Sequence, residues 1–171
     1  MTSPGTGPST STSPSPSPST STNPSRPSDA ADAALFDAVT GEHGVIYGYG
    51  LVSSHSTPDA NQLVSDSLAG HRELRENAIA RLVARNIAPP IPAIGYQLPF
   101  VVDSPPDAAK LAVRMEEDSA VAWRAVLEQA KAGDDRELAV SALTRSAVAA
   151  ARWRAVLGVM PTTIAFPGGN E

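Results

Sequence analysis

The chain contains no cysteine, which removes disulfides, thiolate metal sites, redox thiols and acyl-cysteine anchors in one step. Long apolar runs are missing too. No stretch approaches the ~20 apolar residues that cross a bilayer, and the N-terminus has neither the basic nor the apolar region of a signal peptide. The default expectation is therefore a cytoplasmic protein with no transmembrane segment. There is no basic run, and the net charge is −5, which argues against nucleic acid as a partner. Nucleophile triads, phosphate-binding glycine loops and zinc spacings are absent as well, so nothing supports hydrolase or nucleotide chemistry.

What is plentiful at the start is serine, threonine and proline. Residues 1–28 hold only Ser, Thr, Pro and Gly apart from Met1, Asn23 and Arg26. Such a segment cannot offset the entropy of ordering, and its Ser-Pro alternation favours extended, polyproline-like chain. It reads as a disordered tether, or as a glycosylated stalk or peptide ligand. The sequence therefore divides into a tail over 1–28, one helical domain over 29–160 and a short C-terminal tail over 161–171.

From residue 30 onward, apolar residues recur at the helical period. A first helix is expected from about Ala30 to Ser54, with Leu35, Val39, Ile46 and Tyr49 on one face. Gly41, Gly44, Gly48 and Gly50 each cost it roughly 1 kcal/mol against alanine, so a strand over Val45 to Val52 competes. Close approach of a neighbouring helix would explain the small residues. A second helix begins at Thr57-Pro58-Asp59 and runs to about Asn86. A third starts at Ser104-Pro105-Pro106-Asp107, and a fourth opens with Asp134 and Glu137, spaced as a capping box, and ends at Pro161.

Loop lengths then set the topology. Short joints between helices 1 and 2, and between 3 and 4, make two antiparallel hairpins. Between helices 2 and 3, Pro89, Pro90, Pro92 and Pro99 block regular structure. That segment can extend to ~60 Å, whereas a helix of this length is only ~39 Å long. It can therefore travel the whole bundle, and two hairpins joined by one long crossover is the ferritin-like, all-α arrangement.

On helical wheels, one polar residue stands near the middle of each apolar face: Glu42, His71, Glu116 and, on helix 4, Arg145. Arg75 lies about 40° from His71 at 100° per residue. The chain resembles an uncharacterised family of small ferritin-like domains found in actinobacteria. The resemblance covers about residues 30–160 and is carried by the loop pattern, the helix lengths and the stretch from Glu42-His43-Gly44 through Tyr47-Gly48-Tyr49-Gly50. Ferritin-like di-iron proteins place a single Glu on two helices and a Glu-x-x-His pair on the other two. Glu42 and Glu116 match the single carboxylates, and His71 matches one histidine, but Leu68 stands where its glutamate should be. Helix 4 has no ligand at all, and Arg145 and Arg152 are read as pointing inward there.

The resemblance thus implies a degenerate metal site. An arginine repels a dication and can take the carboxylates instead. The favoured expectation is a non-enzymatic structural or interaction domain, without cofactor, whose core is held by an ion-pair network of Glu42, His71, Glu116, Arg145 and Arg75. The alternative is a diverged oxidase-like protein binding iron or manganese through Glu42, His71 and Glu116. A third reading makes the bundle centre a small-molecule cleft walled by Trp123 and Trp153. His43 is expected to face water or a neighbouring subunit. A second apolar strip through Phe36, Tyr47 and Leu51 is expected to face away from the bundle and to mark a homodimer contact.

Overall fold

A computed structural model describes residues 1–2 and 23–169. Among these, four α-helices and no strands occur: α1 (Ala30–His55), α2 (Asn61–Ala84), α3 (Pro105–Gln129) and α4 (Gly133–Val156). The strand that competed for Val45 to Val52 is not formed, and the glycines of α1 sit inside one continuous helix. Only some of them mark a close approach. A side chain at Gly48 would run into Met115 of α3, whereas Gly41 and Gly50 face open space.

The start signals fared unevenly. Ser104 caps α3 as expected, its hydroxyl accepting from the backbone of Asp107. Thr57 makes no side-chain cap; Pro58–Ala60 instead form a short 3-10 turn ahead of α2. The Asp134–Glu137 box is likewise unused, because the cap of α4 is Ala132, two residues before Asp134. The cap of α1 is Asp29, which accepts from Ala31 and Asp32.

The core has two apolar lobes. One gathers Leu35 and Val39 of α1, Leu74 and Leu82 of α2, Trp123 of α3 and Leu138 of α4. The other gathers Val45, Tyr49 and Val52 with Val64, Leu111 and Trp153. The early half of α1 thus meets the late halves of α2 and α3 and the early half of α4. So α1 runs antiparallel to α2 and α3, and α3 antiparallel to α4. α1 packs closely on α2 and α3, and α3 on α4, while α2 and α4 approach each other at only a few points.

Because α2 and α3 run the same way, segment 85–104 has to return the chain lengthwise, and it does so along α1. Ile87 packs on the first lobe and Val102 is buried in the second. Between them, the Pro90 carbonyl meets His43, and Tyr96 lies 5.2 Å from Tyr47, ring to ring. The strip expected to face outward is taken up only in part: Phe36 is buried in the first lobe and Leu51 packs on the second, while Tyr47 lies against Tyr96 and stays 44% exposed. His43, expected at water or a subunit contact, is buried as well.

The expected N-terminal tail falls mostly outside the described residues. Its last part is held, with Asn23 accepting from the backbone of Ile91 and Arg26 pairing with Asp37 of α1 at 2.6 Å. The C-terminal segment also lies back on the helices: Thr162 accepts from Arg154, and Gly168 sits against the Ala120 carbonyl. Among the described residues, no helix is long and apolar enough to cross a membrane.

Candidate functional site

Between the two lobes lies a polar layer. Glu42 of α1, His71 of α2 and Glu116 of α3 meet there, each no more than 2% exposed. His71 stands between the two carboxylates, its Nδ1 2.7 Å from Glu42 Oε2 and its Nε2 3.2 Å from Glu116 Oε1. Carboxylates accept, so both ring nitrogens donate, and only the imidazolium has two N–H groups. Burial would drive the imidazole to the neutral form, but the hydrogen bonds and charges of Glu116 and Glu42 outweigh it and hold the pKa at about 10.

Each carboxylate has further partners. Glu42 Oε1 accepts from Trp123 Nε1 at 2.7 Å and from the Ser119 hydroxyl at 3.3 Å. The Tyr49 hydroxyl donates to Glu116 Oε1 and accepts from Trp153 Nε1 at 3.0 Å. Burial first, and then the Glu116 charge, push the Tyr49 hydroxyl well above its ordinary pKa, so it stays a donor. α4 contributes Ser146, which donates to Ser119 at 3.1 Å. Glu116 Oε2 is buried with no hydrogen-bond partner.

The arginines expected in this layer are elsewhere. Arg145 is exposed, its Nη1 3.0 Å from Glu73 and 3.2 Å from the Gly70 carbonyl. Ser146, the next residue, is the one that points inward. One residue is 100° on the wheel, and α4 carries alanine on its outer faces as well as its inner one, so little in the pattern fixes its azimuth. Arg75 pairs with Glu76 at 2.6 Å and is a quarter exposed. Arg152 is also exposed. Long cationic side chains reach water from the edge of an apolar stripe. The balancing cation of the layer is the imidazolium of His71 alone.

Trp123 and Trp153, the flat cleft walls of the third reading, are buried donors to Glu42 and Tyr49. The wheel held the signal for the members it missed: Tyr49 lies seven residues after Glu42, Trp123 seven after Glu116 and Ser119 three after it. Such spacings return to the same helix face. His43, in contrast, is held below its ordinary pKa by burial and sits against the Pro90 carbonyl at 3.2 Å, which the neutral ring can serve as donor.

The donor set does not fit a metal pair. Two carboxylates and one imidazole fall short of the six side chains of a di-iron centre. They also stand on opposite edges of one ring, so they do not converge on a point where an ion would sit. Among the described residues, no three His, Asp or Glu side chains are gathered as a metal ion requires. What the layer can do is hold a proton and fix four helices in register.

An all-α chain with a buried carboxylate–imidazole–carboxylate layer is thus the class that the fold and site define. The chain belongs to the family described as a domain of unknown function, DUF4439, whose model matches residues 34–171. It is similar to the crystal structure of a conserved hypothetical protein, rv2844, from Mycobacterium tuberculosis, at 55% identity and a TM-score of 0.75. That likeness covers 77% of this chain and 99% of the other. No curated protein matches the chain.

Proposed function

We propose that this chain is a ferritin-like domain whose metal centre has given way to a protonated histidine, and that it acts without catalysis, as a structural or interaction module. The two hairpins joined by a lengthwise connection support the ferritin-like part of the reading. The observation that carries the non-catalytic part is that each nitrogen of His71 faces its own carboxylate. A metal-binding imidazole presents one bare nitrogen to the ion and uses the other to orient itself. Here neither nitrogen is free, and none of the three side chains is open to solvent.

The interaction part rests on the groove between α3 and α4, a hollow of about 820 Å³ bordered by Val121, Val148 and Ile164. These side chains stay about half exposed, and Phe166 beside them is 66% exposed. Apolar surface left open in this way suits another chain, including a second copy of this one. With Phe36 buried in the α1 strip, this groove is the larger candidate face for a homodimer.

The test is the metal content of protein expressed with added iron, manganese or zinc, together with the ring nitrogen shifts of His71. Substoichiometric metal in all three and two protonated ring nitrogens at neutral pH are expected. A full equivalent of any one metal, lost on His71→Ala, overturns the reading.

A further inference from the structure

The loosely packed side of the bundle opens a cleft of about 600 Å³ between α2 and α4. Ser67 and Gly70 border it from α2, Ser141 and Arg145 from α4, and His71 and Glu116 lie in its floor. We propose that this cleft receives a small molecule bearing a primary ammonium group, which hydrogen-bonds to the otherwise unpaired oxygen of Glu116 when α2 and α4 part far enough to bare it. The proposal goes beyond the structural reading above, since a domain with a locked core need bind nothing.

Three observations carry it. First, Glu116 Oε2 is buried without a partner, while the other oxygen of the same carboxylate takes both Tyr49 and His71. A buried carboxylate oxygen left bare is costly, so the site favours whatever donor can reach it. Second, two carboxylates share one imidazolium, which leaves one negative charge in excess. A neutral hydroxyl would satisfy the bond but not the charge; a cation with N–H donors satisfies both. A primary ammonium has three donors, one for Glu116 and two for hydroxyls such as those of Ser67 and Ser141.

Third, neither arginine bordering the cleft, Arg145 or the exposed Arg152, reaches that oxygen. Arg145 lies over Gly70, with its guanidinium held by the Gly70 carbonyl and Glu73. A side chain at residue 70 would come within 3.0 Å of that guanidinium, so the glycine is what lets Arg145 fold across the cleft. Glu116 also borders the α3/α4 groove, but there it is not joined by His71 or by the serines of α2 and α4.

The experiment titrates the full chain with methylammonium and with ethanolamine, following the His71 ring protons and the Glu116 carboxyl carbon by NMR. Sodium and tetramethylammonium serve as controls, the latter having the charge but no N–H. Saturable shifts are expected with both primary ammonium ions, and binding of tetramethylammonium about tenfold weaker or less. Glu116→Gln should weaken binding by about tenfold or more, the loss of a charge-assisted hydrogen bond. Since that change also strips the core, Ser141→Trp supplies a second arm. It fills the exposed wall of this cleft, does not border the α3/α4 groove and leaves the polar layer untouched. It should abolish the response with the ligand-free His71 signals in place. No saturable shift with either ammonium ion, an equal response to tetramethylammonium, or a response that survives Ser141→Trp overturns the proposal.

Discussion

Trp123 donates its indole N–H to Glu42 Oε1 at 2.7 Å, on the side of the carboxylate opposite His71. The residue that looks like the bulkiest piece of apolar core is thus one of the groups that keeps a buried anion solvated by protein. Trp153 makes a parallel bond, but to the neutral hydroxyl of Tyr49.

The two indoles should therefore differ. Trp123→Phe leaves Glu42 Oε1 with Ser119 alone, at 3.3 Å, and should cost about 2–3 kcal/mol, the range for a bond to a charged group plus some lost packing. Trp153→Phe should cost about 1 kcal/mol. Urea unfolding of the two variants checks this; equal losses, or the larger loss at Trp153, would show that the Trp123 bond is worth no more than the Trp153 one.

Stability should fall with rising pH across the range set by His71. The unfolded imidazole titrates near 6.5 and the folded one at about 10, so between them the folded state keeps a proton that the unfolded state releases. The stabilisation is full below about pH 6.5 and is lost as the pH climbs through about 10. Denaturation midpoints measured across that window should decline. His71→Gln should be destabilised by about 3–5 kcal/mol at low pH, since it leaves two carboxylates without their cation, and should lack the decline.

Much of this was legible from the residues, and each failure has its own physical cause. Periodicity located four helices, and the proline-rich segment announced a lengthwise connection because no helix could form through Pro89, Pro90 and Pro92. Glu42, His71 and Glu116 were found because each interrupts an apolar face. Arg145 was misplaced because α4 offers alanine on most sides, so a register shift of one residue changes nothing in the pattern. Tyr49 reads as packing, and Trp123 and Trp153 as the walls of a cleft, since hydropathy does not register the one polar atom each carries. The cover that segment 85–104 gives to α1 was not visible in any local spacing, because it depends on contacts such as Tyr47 with Tyr96, far apart in sequence.

Arg85 should prove a clamp for one end of the bundle. It follows α2 directly and bonds Asp32 in the first turn of α1 at 2.8 Å and Asp135 in the first turn of α4. Asp135 is buried, and its other cation is Arg81, 3.3 Å away. Arg85→Ala should destabilise by about 2 kcal/mol, between the values for exposed and buried pairs, with little relief from added salt. A loss below about 0.5 kcal/mol, the level of an exposed pair, would show that the clamp is ornamental.

The two glycines of positive φ past α4 should respond differently to alanine. Gly158 has φ +67° and nothing near its missing side chain, so Gly158→Ala should cost only the conformational penalty, about 1–2 kcal/mol. Gly168 has φ +75°, and a Cβ there would lie 2.6 Å from the Ala120 carbonyl oxygen. Gly168→Ala should therefore detach the segment from α3. Hydrogen exchange and limited proteolysis over residues 160–169 should report that release, while the four helices keep their protection.

The uneven closeness of the helices has a mechanical consequence. α1 and α3 form the spine of a book, and α2 and α4 are its covers, each bound along the spine but scarcely to one another. At mid-height, parting the covers breaks the bridge of Arg145 to Gly70 and Glu73; at one end they stay pinned by Arg81 and Arg85 on Asp134 and Asp135. Parting the spine would tear both apolar lobes and pull Glu42 from Trp123. Thermal breathing in this molecule therefore has a preferred direction, and it bares the one page on which the unshared carboxylate oxygen is written.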